Sequence, residues 1–194
     1  SWASTEDLAG RVQFVALPRA YSTIAFLRAL PNTARLLREC IRCAHFLQFA
    51  IGGLVGDWAA IAAEQALRLG RPYAVHLERV EHEVVRYAAS SMHWPRRIKR
   101  ITLAHLMQLW HRHLITGASL ALCHGNDCFQ AYAPLNPRSF LIHNVHTSAA
   151  DLATPSQIRL KIERAARSST LRVCYVGRLS SMKAPLDWVR ALAH

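Results

Sequence analysis

Acidic residues are scarce in this sequence: 12 Asp and Glu stand against 24 Lys and Arg, for a formal net charge of +12. Such an excess points to anionic partners, whether phosphates, an acidic membrane surface or nucleic acid, and composition does not choose among them. Long apolar runs are also missing, none approaching the roughly 20 residues that span a bilayer, and the N-terminus lacks a signal-peptide pattern. The expectation is a cytoplasmic protein, soluble or peripheral at the inner membrane face. The five cysteines are an odd number in a chain without secretory features, which excludes a disulfide framework. Cys40 and Cys43 form a C-x-x-C inside a helical pattern, and Cys123 and Cys128 are the other close pair. Neither has the loop-borne spacing of a zinc site, so these residues read as buried thiols and no metal is expected. No repeat or low-complexity tract stands out. The 194 residues begin at Ser1 and stop inside a helical stretch after Pro185, so the chain reads as a fragment cut at both ends.

What is present is an alternation of short apolar runs and helical periodicity, the mark of an α/β fold with a parallel sheet. Strands are expected at Val12–Leu17, Phe46–Ile51, Tyr73–Leu77, Ser119–Cys123 and Ser139–Val145. Pro31-Asn32-Thr33 reads as punctuation, with Asn32 or Thr33 capping the helix that follows. After Phe46–Ile51 comes Gly52-Gly53-Leu54-Val55-Gly56-Asp57-Trp58, then a helix ending at Gly70. Strand, glycines, helix and strand make one βαβ unit with a right-handed crossover. These glycines lack the G-x-G-x-x-G spacing of dinucleotide binding; they allow close backbone approach to a ligand or to the facing helix.

Strand carboxyl ends are where open α/β sheets place their sites. Glu81 and His82 follow Tyr73–Leu77 there, able to bind a substrate hydroxyl or exchange protons with it. The alternative is a solvated loop leading into a helical turn. His124-Gly125 follows the next strand, and a lone histidine is also often structural. Residues 94–115 form the most asymmetric helix. Trp94, Ile98, Ile101, Leu106, Leu109, Trp110 and Leu114 mark an apolar stripe, expected to lie on the sheet. Arg96, Arg97, Lys99 and Arg100 crowd its first half, against the helix dipole, leaving a basic rim for anionic lipid or for solvent. Cations without interleaved exposed aromatics or a known motif argue against nucleic acid. Ala133–Pro137 is the natural boundary, dividing 1–137 from 138–194. Thr154-Pro155-Ser156-Gln157 is a capping-box start for a helix reaching about Arg167.

The last stretch, Leu171 to Pro185, reads as a buried strand, a turn at Gly177, two cations and a helix opened by Pro185. Arg178 and Lys183 beside a helix N-terminus favour a diphosphate, or else are ordinary loop charges.

Val176-Gly177-Arg178-Leu179, with Lys183 five residues after Arg178, resembles the V-G-R-L…K-G segment that opens the donor domain of retaining GT-B glycosyltransferases of family 4. His143-Asn144-Val145-His146 resembles the N-G-V-D stretch before it, in degenerate form. Leu47–Trp58 followed by Val80–Val84 is similar to acceptor domains of bacterial members. The resemblance implies a GT-B-like α/β fold of two Rossmann-like domains with parallel sheets. Here the N-terminal domain would lack its first strand and the C-terminal domain would be mostly missing. It also implies transfer of a sugar from a nucleotide-diphosphate donor to a glycan or lipid-linked acceptor. Arg178 and Lys183 would hold the diphosphate; Gly177, Gly52 and Gly53 join them as candidate donor-binding residues, and Glu81, His82 and His124, from their places at the strand ends, are the candidate catalytic residues. No metal or other cofactor is implied, in keeping with the lack of a DxD-like carboxylate cluster. Ala184 replaces the usual glycine, and the family's paired-glutamate motif would lie beyond His194, so the chain by itself is expected to be inactive. A sugar-nucleotide epimerase or phosphorylase of the same fold, and a non-enzymatic module for anionic membrane surfaces, are the competing readings.

Overall fold

The computed structural model describes residues 14–20, 22–143, 152–167 and 185–192, in two compact units, Ser1–Asn144 and Val145–His194. Among the described residues, four parallel strands and seven α-helices make an α/β fold, Rossmann-like in kind.

The first unit opens on α1 (Thr23–Cys43), capped by the Ser22 hydroxyl, which accepts from the Ala25 amide at 3.2 Å. Pro31 was expected to break the chain and instead lies inside this helix. Proline removes one amide and crowds the carbonyl four residues back. That residue, Leu27, is exposed, so water can take the freed carbonyl. Arg71 closes the other end, its guanidinium donating to the carbonyls of Ile41, Arg42 and Ala44. A cation with several donors suits the negative end of a helix.

The four strands are β1 (Gln48–Ala50), β2 (Ala74–Leu77), β3 (Leu120–His124) and β4 (Ser139–Ile142), hydrogen-bonded in that order and all parallel. Val75 aligns with Phe49 and Ala121, and Ala121 with Ser139. β1 and β2 are joined through α2 (Trp58–Arg68), β2 and β3 through α3 (Glu81–Ala89) and α4 (Trp94–Gly117), and β3 and β4 through α5 (Asn126–Tyr132). The core forms where the inward side of the sheet, Val75, Leu77, Ala121 and Cys123, meets the alanine-rich face of α2, the end of α4, and Cys128 and Tyr132 of α5. Small residues on α2 (Ala60, Ala63 and Ala66) let that helix lie close to the strands.

Three further expectations change. Phe14–Leu17, the described part of the first expected strand, has no regular structure. Its neighbourhood is held by a side chain instead: the Trp58 indole donates to the Pro18 carbonyl at 2.8 Å, and Ala20, Phe26 and Trp58 make a small separate core. Second, most of the expected apolar stripe of α4 faces away from the core, and only its end, Leu114 with half-buried Trp110, joins the core beneath the sheet. Trp94 is 73% exposed, and Ile98, Ile101, Leu106 and Leu109 are exposed too. The buried face consists of Ala104, Met107, His111, Leu114 and Ile115. This set recurs at i, i+3, i+7, i+10 and i+11, a helical face as regular as the expected one but lower in hydropathy. The first two turns of α4 carry no buried residue. Third, the sheet continues past Pro137, because β4 pairs with β3; the first unit extends to Asn144. Buried Asn136 ties that passage down. Its amide donates to the carbonyls of Ile115 (2.9 Å) and Ala118 (2.7 Å), and its carbonyl accepts from the Arg138 amide.

In the second unit the described elements are α6 (Pro155–Arg167) and α7 (Pro185–Leu192). The capping box is in place: the Gln157 side chain accepts from the Thr154 amide at 2.8 Å, and the Thr154 hydroxyl accepts from the Gln157 amide at 3.3 Å. The expected strand before Gly177 lies outside the described residues.

Candidate functional site at the strand carboxyl ends

In a parallel sheet the loops leaving the carboxyl ends collect on one edge. After β1, pairing continues one residue further, Ile51 donating to the His76 carbonyl, and the chain then turns through Gly52 and Gly53. Both glycine amides donate to one carboxylate oxygen of Asp57, at 2.8 and 2.7 Å. The other oxygen accepts from the Ala60 amide at 3.0 Å, which makes Asp57 the N-cap of α2. One carboxylate thus takes three amides at the positive end of a helix, the place where an external phosphate would otherwise sit. Gly56 lets the loop close: its φ is +82°, and a Cβ there would meet the Ala20 carbonyl oxygen at 2.6 Å.

Glu81 stands at the first turn of α3, with its carboxylate against Gly52. A Cβ on Gly52 would lie 3.5 Å from Glu81 Oε1. Arg79 donates to the same carboxylate at 2.5 Å, and this bond holds the arginine pKa above its ordinary value. His82, the next residue, points inward and is 4% exposed. The Tyr132 hydroxyl from α5 lies 3.5 Å from His82 Nδ1, and the two rings meet edge-on at 6.3 Å. On the other side of Tyr132, His111 of α4 meets the same ring at 6.5 Å. His111 is wholly buried, and neither of its ring nitrogens has a hydrogen-bond partner.

Burial is the main cause that lowers the pKa of both histidines. Arg86 and His111 lower His82 further, while Glu83 opposes them. For His111 the Gly53 backbone, Asp57 and Glu81 act the other way, without overturning the desolvation. Tyr132 is pushed above its ordinary range, chiefly by burial. Three helices therefore bring two neutral imidazoles and a neutral phenol into one dry cluster directly behind the Gly52–Asp57 loop. Cys123 and Cys128 lie deeper as free buried thiols, Cys128 donating to the Leu77 carbonyl at 3.4 Å. Its hydrogen bond with the Cys123 sulfur, and then burial, push the Cys128 thiol up.

Of the residues expected from sequence, Gly52, Gly53, Glu81 and His82 come together here. His124 ends β3, half-buried, and Gly125 turns the chain at φ +78° to cap α5. His143 is exposed just past β4. Gly177, Arg178, Lys183, Asn144, Val145 and His146 lie outside the described residues. Asp57, His111 and Tyr132 were missed; a signal existed for His111, in its place on the i, i+3, i+7 set with Ala104 and Met107. Among the described residues no group of His, Cys, Asp and Glu is arranged to hold a metal, and no helix is long and apolar enough to cross a membrane.

The fold and this edge define a Rossmann-like α/β unit with a carboxylate-closed glycine loop backed by a buried histidine–tyrosine cluster. No family model, curated protein or solved structure matches the chain.

Proposed function

We propose that this chain belongs to a retaining glycosyltransferase of the GT-B, family 4 kind, which moves a sugar from a nucleotide-diphosphate donor to a glycan or lipid-linked acceptor. The supporting observation is the order of parts. A parallel α/β unit gathers Gly52, Glu81 and His82 at its strand ends, and a Val176-Gly177-Arg178…Lys183 segment follows in sequence. On this reading Glu81, fixed by Arg79, accepts a hydrogen bond from an acceptor hydroxyl. His82 is a positioning residue, because it faces Tyr132 and not solvent. Arg178 and Lys183 neutralise the diphosphate as it leaves; each charge-assisted hydrogen bond contributes about 1.5–3 kcal/mol. Calorimetry with uridine and guanosine diphosphate is the direct test. Lys183→Ala is expected to weaken binding at least tenfold and to lower sugar transfer by orders of magnitude. Diphosphate binding that ignores Lys183→Ala and Arg178→Ala would remove the assignment.

A second reading, contact with an anionic membrane, gains from the exposure of α4. In its first two turns Trp94, Ile98 and Ile101 fall on one side and Arg96, Arg97, Lys99 and Arg100 around the rest. No acidic residue occurs between Glu83 and Asp127. An exposed apolar strip flanked by cations is the pattern of a helix lying in a lipid interface, each cation adding about 1 kcal/mol near an anionic surface. Sedimentation with phosphatidylglycerol vesicles is expected to capture the protein, and phosphatidylcholine vesicles to leave it in solution. Trp94→Ser with Ile98→Ser should abolish capture; equal binding to both lipids would discard this role.

A further inference from the structure

A groove of about 520 Å³ opens on the helical side of the first unit, between α1, α2 and α4 and away from the strand-end residues. Its volume lies within the roughly 300–1,000 Å³ of small-molecule sites and far exceeds what a single inorganic anion needs. The floor is apolar, from Leu30 and Ala34 of α1, Ile61 of α2 and Trp110 of α4. Three guanidinium groups stand on it: Arg35 and Arg38 from α1 and Arg68 from α2.

Two of these are held in place by one edge each. Arg68 Nε donates to Glu64 at 2.6 Å, and the other oxygen of that buried carboxylate bonds His113 Nε2 at 2.9 Å. Arg38 donates through Nε and Nη2 to the Gln65 side-chain oxygen at 3.1 and 2.8 Å. These bonds fix the planes of the two guanidiniums while leaving both terminal nitrogens of Arg68 and one of Arg38 unpartnered. Arg35 has no hydrogen bond or ion pair at all among the described residues. Glu64 is the one carboxylate lining the groove, and it is already shared between Arg68 and His113. Three like charges over an apolar floor repel one another, and preformed guanidinium forks with open edges match the oxygens of a phosphate. Ile24 and Leu27, exposed at the start of α1, continue the same helix face beyond Leu30 as an apolar track.

We propose that this groove binds a single-chain amphiphilic phosphate, with its headgroup on Arg35, Arg38 and Arg68 and its chain on Leu30, Ile61 and Trp110 toward Leu27. Charge complementarity selects the head and the apolar floor selects the chain. None of the strand-end residues takes part, so the site stands or falls apart from the glycosyl-transfer reading.

Calorimetry on the full chain with octyl phosphate below its micellar concentration, inorganic phosphate and octyl glucoside tests each half. Octyl phosphate is expected to bind saturably at one site, at least tenfold more tightly than inorganic phosphate, and octyl glucoside not to bind. Arg35→Gln removes a side chain without partners, so folding is preserved, and it should weaken octyl phosphate about tenfold; adding Arg68→Gln should weaken it further. Trp94→Ser with Ile98→Ser, which strips the exposed strip of α4, should leave this binding unchanged. Inorganic phosphate binding as tightly as octyl phosphate would overturn the apolar half. Octyl phosphate binding that survives Arg35→Gln with Arg68→Gln, or that is lost with the α4 variant, would overturn the site.

Discussion

Acid is expected to destabilise the first unit before ordinary carboxylate titration sets in. Stability measured by urea titration should fall as the pH drops below about 6.5, at up to roughly 1.4 kcal/mol per pH unit for each buried histidine. His82 and His111 both have folded pKa values below the unfolded value of about 6.5. Between the two values the unfolded chain binds protons that the folded chain refuses, so protons favour unfolding. The stabilisation is complete above the unfolded pKa and is lost as the pH falls toward the folded one. Glu81, Glu83 and Asp57 oppose the shift and limit its depth, whereas Arg86 deepens it for His82. His111→Leu should flatten the slope by as much as half. It should also raise stability at pH 7.5 by about 1 kcal/mol, because it replaces a buried ring with two orphan nitrogens by an apolar side chain of similar size. A far-UV circular dichroism midpoint that stays level from pH 7 to 5, or a slope unchanged in His111→Leu, would remove the cluster from this role.

The sheet was readable because its inner strands are short, apolar and bounded by punctuation. Ala74–Leu77 and Leu120–His124 fall within a residue or two of the runs that announced them. Thr154, Pro155 and Gln157 likewise announced α6 through a motif that is local in space as well as in sequence. What misled was hydropathy used as a proxy for burial. In α4 Trp94, Ile98, Ile101, Leu106 and Leu109 sit outside, while the helix turns Ala104 and His111 inward together with Met107, Leu114 and Ile115. Pro31 misled for a related reason: its cost to the helix falls on the turn at exposed Leu27, where water can replace the lost hydrogen bond. The candidate site was half visible. Gly52, Glu81 and His82 share a strand edge, which topology alone dictates. Asp57 meets the glycines locally, four and five residues on, as the N-cap of α2, but His111 and Tyr132 reach the site from α4 and α5, and no spacing along the chain encodes that meeting.

The largest single stability loss is expected from Asp57→Ala. The substitution removes the acceptor of three amides at once, those of Gly52, Gly53 and Ala60. Loss of an N-cap typically costs about 1 kcal/mol, and each hydrogen bond to a charged group about 1.5–3 kcal/mol, so a cost of about 3 kcal/mol or more follows. Asp57→Asn keeps a good cap with less charge and should lose less. The variant also separates two roles for the glycine loop. In the native chain the Gly52 and Gly53 amides are spent on Asp57, so these glycines shape the loop around an internal anion. With the carboxylate gone, those amides and the N-terminus of α2 form an open anion site. Millimolar phosphate or sulfate is therefore expected to restore part of the lost stability to Asp57→Ala while leaving the native protein unchanged. Amide NMR shifts of Gly52 and Gly53 on phosphate addition provide the second readout. Shifts of equal size in the native chain would mean that Asp57 yields the loop to an external phosphate, and the internal-anion role would be lost. Rescue confined to the variant would instead leave Arg178 and Lys183 as the candidates for holding a donor diphosphate.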